Sequence, residues 1–140
     1  MPLATIDDCR VLELPKIPDL RGNLSFVEAE RHIPFRIART YWIYDVPGNA
    51  ARGGHAYRKL EEFMIALSGS FEVRLDDGRS VRSVRLNRSY YGLYVAPGLW
   101  RELLDFSTNS VCLILAARPF EEHDYIREYD RFLEYRGGTT

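Results

Sequence analysis

Arg52-Gly53-Gly54-His55-Ala56-Tyr57-Arg58-Lys59-Leu60-Glu61-Glu62, continued by Phe63-Met64-Ile65-Ala66-Leu67-Ser68-Gly69, is the stretch that decides the reading of this chain. Its paired glycines predict a turn. A strand carrying the titratable His55 follows, and then a short apolar strand that ends at the turn Ser68-Gly69.

Working outward, the same alternation of short strands and turn chemistry recurs about every ten residues. Thr40–Val46 is rich in Tyr, Trp, Ile and Val and stops at Pro47-Gly48. Phe71–Leu75 alternates Phe, Val and Leu with Glu72 and Arg74, the period of a half-buried strand. Asp76-Asp77-Gly78 is a hairpin signal, because Asp-Gly supplies the positive φ that a tight turn needs. Ser80–Leu86 alternates again, Tyr90–Ala96 is closed by Pro97-Gly98, and the continuous apolar run Asn109–Ala116 is expected to be buried on both faces. The pattern predicts an all-β sandwich or barrel. At the C-terminus, Tyr125, Tyr129, Phe132 and Leu133 fall on one helical face with Asp124 as a cap, which predicts a short terminal helix and then a frayed tail.

The whole of residues 1–140 reads as one domain, long enough to bury a core. Apolar content of 46% and aromatic content of 13% place it among globular chains rather than disordered ones. A net charge of -1 gives no global field to recruit nucleic acid or an anionic membrane. Lys16 and Lys59 are the sole lysines among 19 basic residues, and guanidinium forks suit phosphate oxygens, although genome composition alone can produce such a bias. Cys9 and Cys112 form no CxxC pair, and no apolar stretch reaches membrane-spanning length. With no apolar h-region in Met1–Asp8, the expected compartment is the cytoplasm.

The stretch quoted first resembles the first sequence box of the cupin barrels, and Gly92-Leu93-Tyr94-Val95-Ala96-Pro97-Gly98-Leu99-Trp100-Arg101 resembles the second. The resemblance implies a cupin-type jelly roll with ligands on inward strand positions: two histidines and a glutamate from the first box, a third histidine from the second. Here Tyr57 stands where the second histidine would be and Arg101 where the last would be. A guanidinium has no lone pair to give a metal. His55 and Glu62 alone are too few for a catalytic site of the usual three ligands, so a metal-free barrel is expected.

The same residues suit proton transfer. Tyr57 lies two positions after His55 and so shares its face of a strand. His55 is expected to titrate near neutral pH and to move a proton. With a fixed cation at Arg101, the three resemble machinery for removing a proton beside a carbonyl and stabilising the enolate. Simpler roles stand beside this one: a hydrogen-bonded structural histidine, a strand-forming tyrosine, solvated Glu61 and Glu62, and a surface pair between Arg101 and Glu102 or Asp105.

More of the chain enters a closer resemblance, from Arg21-Gly22-Asn23-Leu24 through Ile33-Pro34-Phe35 with Arg39 and Tyr41, Arg52-Gly53-Gly54-His55-Ala56, Leu75-Asp76-Asp77-Gly78, Gly92-Leu93-Tyr94, Pro97, Trp100 and Asp105-Phe106, to Asp124-Tyr125-Ile126-Arg127 and Tyr129-Asp130. In order and spacing these are similar to the sugar 3,4-ketoisomerases that act on dTDP-4-keto-6-deoxyglucose. That resemblance implies a cofactor-free isomerase acting on a dTDP-linked 4-keto-6-deoxyhexose, working as a homodimer, whose product feeds the making of 3-amino sugars for surface polysaccharides or natural products. A base removes the C3 proton, an enediol forms, and a proton returns at C4. It implies His55 and Tyr57 as the catalytic residues, and Arg39, Tyr41, Arg52, Arg101, Arg21 and Glu62 as substrate-binding residues. The family's usual His-x-His is departed from at Tyr57, which would serve as a hydrogen-bond donor because its reference pKa is near 10. Arg21 and Arg101 match positions that differ between members giving gluco and galacto products, and the pair is mixed here, leaving both configurations open. A related epimerisation and a non-catalytic nucleotide-sugar binder are the alternatives.

Overall fold

The computed structural model of the protein describes residues 3–137. Its strands are β1 (Arg10–Glu13), β2 (Lys16–Asp19), β3 (Gly22–Ser25), β4 (Arg39–Tyr44), β5 (Arg52–Tyr57), β6 (Glu62–Ser68), β7 (Phe71–Asp76), β8 (Val81–Leu86), β9 (Tyr91–Val95), β10 (Trp100–Leu104), β11 (Val111–Ala116) and β12 (Tyr125–Ile126), followed by the helix α1 (Tyr129–Tyr135). One sheet has the order β1-β9-β6-β11-β4 and the other β12-β5-β10-β7-β8, while β2 and β3 form a separate hairpin. This is the expected two-sheet barrel. From β4 onward the chain passes from sheet to sheet at every connection but the β7–β8 hairpin, which places β5 and β6, joined by a short loop, on opposite walls.

The elements follow from local chemistry. On β7, Phe71, Val73 and Leu75 are fully buried and Arg74 is exposed, as alternation requires. The β7–β8 turn uses Gly78 at φ +90°, where a side chain would be strained. The Asp77 carboxylate accepts from the backbone N–H of Ser80 at 2.8 Å, Arg79 at 2.9 Å and Ile6 at 3.1 Å, so the turn also ties down the N-terminal segment. Glu62 to Ala66 of β6 are all buried. Its neighbour β9 carries Gly92 because a Cβ there would sit 2.5 Å from the Phe63 ring and 2.5 Å from the Met64 carbonyl oxygen.

Two expectations of strand and helix extent are corrected. The run expected to be covered on both faces begins as a strand at Val111, and Val111 and Leu113 on one of its faces are only half-buried. The short strands β1, β2 and β3 and the strand β10 had no clear periodic signal. The terminal helix begins at Tyr129, with Tyr125 in β12. The edge of β5 offers backbone partners that an isolated helical turn cannot match, and β12 pairs there with Tyr125 opposite Tyr57 and Ile126 opposite Ala56. Phe132 keeps its expected buried place, with its ring 5.7 Å from that of Trp100. The expected tail covers residues 137–140, of which 138–140 lie outside the described residues. Among the described residues, no helix is long and apolar enough to cross a membrane.

Asp124 caps no helix; it buckles the C-terminal segment to the barrel. Its carboxylate accepts from the backbone N–H of Lys59 at 2.9 Å and of Leu60 at 3.2 Å. Asp124→Ala strips two backbone donors of their partners in a largely buried place and should cost about 2 kcal/mol. Urea denaturation of the variant checks this, and a loss below about 0.5 kcal/mol would mean that the carboxylate is dispensable.

Candidate active site

The paired glycines of the opening stretch build the mouth of the barrel. Gly53 and Gly54 have φ of +96° and +39°, and the pairing of β5 with β10 shifts register between Arg101 and Leu103. A Cβ on Gly53 would lie 3.1 Å from the Arg101 carbonyl oxygen, so glycine allows the two backbones to approach at this bulge. Past the bulge, His55 stands directly opposite Arg101. Tyr57 follows on the same face and pairs with Tyr125.

A cavity of about 900 Å³ opens between the sheets. His55, Tyr57, Arg101 and Tyr125 line it from one wall, with Tyr41 and Glu62 from the other. Beneath it, Arg101 and Glu62 are both 1% exposed and form an ion pair, Nη1 to Oε1, at 2.6 Å. The second carboxylate oxygen accepts the Tyr41 hydroxyl at 2.5 Å. Arg101 also donates from Nε to the Leu99 carbonyl at 3.3 Å, while its Nη2 is buried without a partner. The guanidinium lies 4.8 Å from the centre of the Tyr57 ring, a cation–π contact away from water. Burial, and then the charge of Glu62, push the hydroxyls of both Tyr41 and Tyr57 well above the usual tyrosine range, so each stays protonated as a donor.

His55 departs from its expected titration near neutrality. Burial first, and then the positive charge of Arg101, lower its pKa from 6.5 to about 3. Its imidazole is therefore neutral across the physiological range and holds a free lone pair. Three rings converge there: the His55 ring centre is 4.9 Å from that of Tyr57 and 5.1 Å from that of Tyr125, with the two tyrosines 4.6 Å apart.

Of the expected site residues, His55, Tyr57, Tyr41, Arg52, Arg101 and Glu62 all border the cavity. Glu62 and Arg101 lie sealed within its floor, in place of the solvated glutamate and surface ion pair weighed as simpler roles. Glu61 accepts the Tyr94 hydroxyl at 2.5 Å instead of being merely solvated. Arg39 does not line the cavity; its guanidinium packs 5.1 Å from the Tyr41 ring and 5.7 Å from that of Phe120. Arg21 stands at the tip of the β2–β3 hairpin, 90% exposed and paired with Asp19. Tyr125 and Arg127 also line the cavity and were missed as site residues, because a helical reading took Tyr125 into the core. Arg127 lies 3.9 Å from the centre of the Tyr125 ring. Among the described residues, no three His, Cys, Asp or Glu side chains gather as a metal site would require.

Glu62→Gln should cost about 3 kcal/mol in denaturant unfolding, since it leaves the buried Arg101 without a counter-charge. Pairing it with Arg101→Met should restore much of that loss, because an apolar pair carries no desolvation penalty. A loss below about 1 kcal/mol in the single variant would show that the pair is not the structural tie it is taken to be.

Comparison with known proteins places this geometry. Residues 7–137 match the family FdtA, described as WxcM-like, C-terminal. The chain is 44% identical over 126 residues to a TDP-4-oxo-6-deoxy-alpha-D-glucose-3,4-oxoisomerase of Aneurinibacillus thermoaerophilus, covering 90% of this chain and 91% of that protein. A 3,4-ketoisomerase from Helicobacter canadensis superposes with a TM-score of 0.91 at 40% identity, covering 93% of this chain and 98% of the other. A sugar 3,4-ketoisomerase from Thermoanaerobacterium thermosaccharolyticum, solved in complex with TDP, gives 0.92 at 34% identity, covering 96% of this chain and 98% of the other. The chain belongs to the FdtA-like family of small cupin-fold sugar-nucleotide 3,4-ketoisomerases.

Proposed function

We propose that this protein is an isomerase that moves the keto group of a dTDP-linked 4-keto-6-deoxyhexose from C4 to C3. The observation that carries the reading is a neutral imidazole, His55, set beside the hydroxyl donor Tyr57 and opposite the buried Arg101 in strand register, in a cavity of sugar-nucleotide size. The ketone at C4 acidifies the C3–H bond, so the chemistry draws on the substrate's own carbonyl. His55 takes the C3 proton. Electrons from that bond form the C3=C4 double bond, and negative charge develops on O4. Tyr57 donates a hydrogen bond there, and the positive charge of Arg101 favours the enolate. As that negative charge forms it also favours imidazolium at His55, offsetting the repulsion from Arg101. The proton then returns at C4.

Arg52, at the rim of the cavity, is the best-placed partner for the diphosphate, and Arg39 stands next to the wall residue Tyr41 with a buried Nε that has no partner. Forked guanidinium contacts match phosphate oxygens. Self-association as a homodimer is part of the same reading. It is supported by the exposed apolar side chains Trp42 (58%), Tyr44 (60%) and Leu67 (48%) on one sheet. The free, buried Cys9 and Cys112 suit the reducing cytoplasm in which we place it.

The 4-keto substrate incubated with enzyme in D2O and followed by NMR should give the 3-keto isomer. His55→Asn should lower turnover by about 10²–10⁴-fold with TDP affinity nearly unchanged, the range for a general base. TDP binding should weaken in high salt and on Arg52→Ala with Arg39→Ala. Tight TDP binding without turnover by the wild type would make the protein a binder instead, unchanged TDP affinity in both arginine variants would remove them from the site, and a monomeric mass in solution would contradict the dimer.

A further inference from the structure

Moving a keto group between neighbouring carbons relocates two hydrogens. One passes from C3 to C4, and the other from O3 to O4. His55 accounts for the first. A single donor at O4 does not account for the second, because the O3 proton also needs a route away.

Such a route lies in the cross-strand pair Tyr57 and Tyr125. The two residues are in register on β5 and β12, and their rings meet edge to face with centres 4.6 Å apart. Burial first, and then the charge of Glu62, keep the Tyr57 hydroxyl protonated, with the neighbouring Tyr125 among the lesser causes. Both residues line the cavity beside His55. Tyr57 is 2% exposed, whereas Tyr125 is half-buried and more open to the space where a sugar would lie. Each ring carries a guanidinium: Arg101 at 4.8 Å from that of Tyr57, and Arg127 at 3.9 Å from that of Tyr125. Arg127 is itself held by two hydrogen bonds of 2.8 Å to Glu122. The backbone around Tyr125 is fixed as well. Arg58 donates to the carbonyls of His123 at 2.8 Å and Tyr125 at 3.1 Å, and Asp124 is bound as described.

The geometry points to Tyr125 as a second catalytic hydroxyl, which with Tyr57 forms a relay carrying the hydroxyl proton from O3 to O4 of the enediol. Two hydroxyls on neighbouring rings, centres 4.6 Å apart, match two vicinal oxygens of the sugar. Tyr57 gives its proton to O4, Tyr125 gives its own to Tyr57, and O3 gives its proton to Tyr125. The O3–H electrons become the C3=O bond, and the C3=C4 electrons take the proton that His55 returns to C4. Both tyrosines and His55 end in the state in which they began, and the substrate has gained and lost nothing but position. The inference rests on the ketoisomerase reading.

Tyr125→Phe keeps the ring against Arg127 and removes the hydroxyl. In D2O with the 4-keto substrate, its isomerisation should fall by about 10²-fold or more, while deuterium exchange at C3 stays within about fivefold of the wild type, because His55 still acts. TDP affinity should not change. Tyr57→Phe should slow isomerisation as steeply, and the double variant should be no slower than the slower single variant, since a broken relay cannot be broken twice. The inference is overturned if Tyr125→Phe isomerises at the wild-type rate. It is also overturned if exchange and isomerisation fall together, or if the two substitutions add. A wild type that exchanges and isomerises nothing would sink the ketoisomerase reading itself, which the variants alone cannot do.

Discussion

The buried ion pair between Arg101 and Glu62 is the interaction on which the site depends. It joins the two sheets at the floor of the cavity, with both side chains 1% exposed. Two charges so far from water are tolerable only if their remaining polar atoms are engaged, and most of them are. Each oxygen of Glu62 accepts one hydrogen bond, from Arg101 and from the Tyr41 hydroxyl, and Arg101 also reaches the Leu99 carbonyl. The exception is Arg101 Nη2, a buried donor with no partner. An unsatisfied donor costs free energy, and sites of reaction are where such costs are retained.

From that pair the electrostatics of the cavity follow. Burial, seconded by Arg101 opposite it in the β5–β10 register, holds the His55 imidazole neutral, while burial and then the charge of Glu62 keep the nearby phenols protonated. A neutral base and neutral donors around a fixed cation favour a negative charge that appears only as the reaction proceeds. Tyr57 covers Arg101 with an aromatic face. An imidazole at this position would offer a smaller apolar face over the guanidinium and a second titrating group beside it. The departure from His-x-His thus leaves the site with one histidine to titrate and hydroxyls to donate.

Much of the fold was legible because its signals are local. Phe71–Leu75 alternates, Asp76-Asp77-Gly78 has the chemistry of a tight turn, and both appear where the pattern put them. The box from Arg52 to Gly69 held in its strands and in the turn at Gly69, whereas Gly53 and Gly54, expected as a turn, lie within β5 at its bulge. What could not be read depends on partners distant in sequence. β10 has no clear period because Trp100, Arg101 and Leu103 are all buried between β5 and β7. Tyr125 looked helical because its spacing to Tyr129 and Phe132 is helical, yet an open strand edge claimed it. The site residues of the two boxes were visible as types. Their roles were not, because the burial of Glu62 and Arg101, the depressed pKa of His55 and the distance of Arg21 from the cavity are all properties of packing.

The measurement that tests this account most directly is an NMR titration of the His55 imidazole in the folded protein, assigned by comparison with His55→Asn. With Arg101 paired and buried beneath it, His55 should remain neutral through the range where a free histidine takes up its proton, titrating only at about 3 or with acid unfolding. A midpoint near the ordinary 6.5 would contradict the account, since burial and the neighbouring guanidinium would then not set the state of the base.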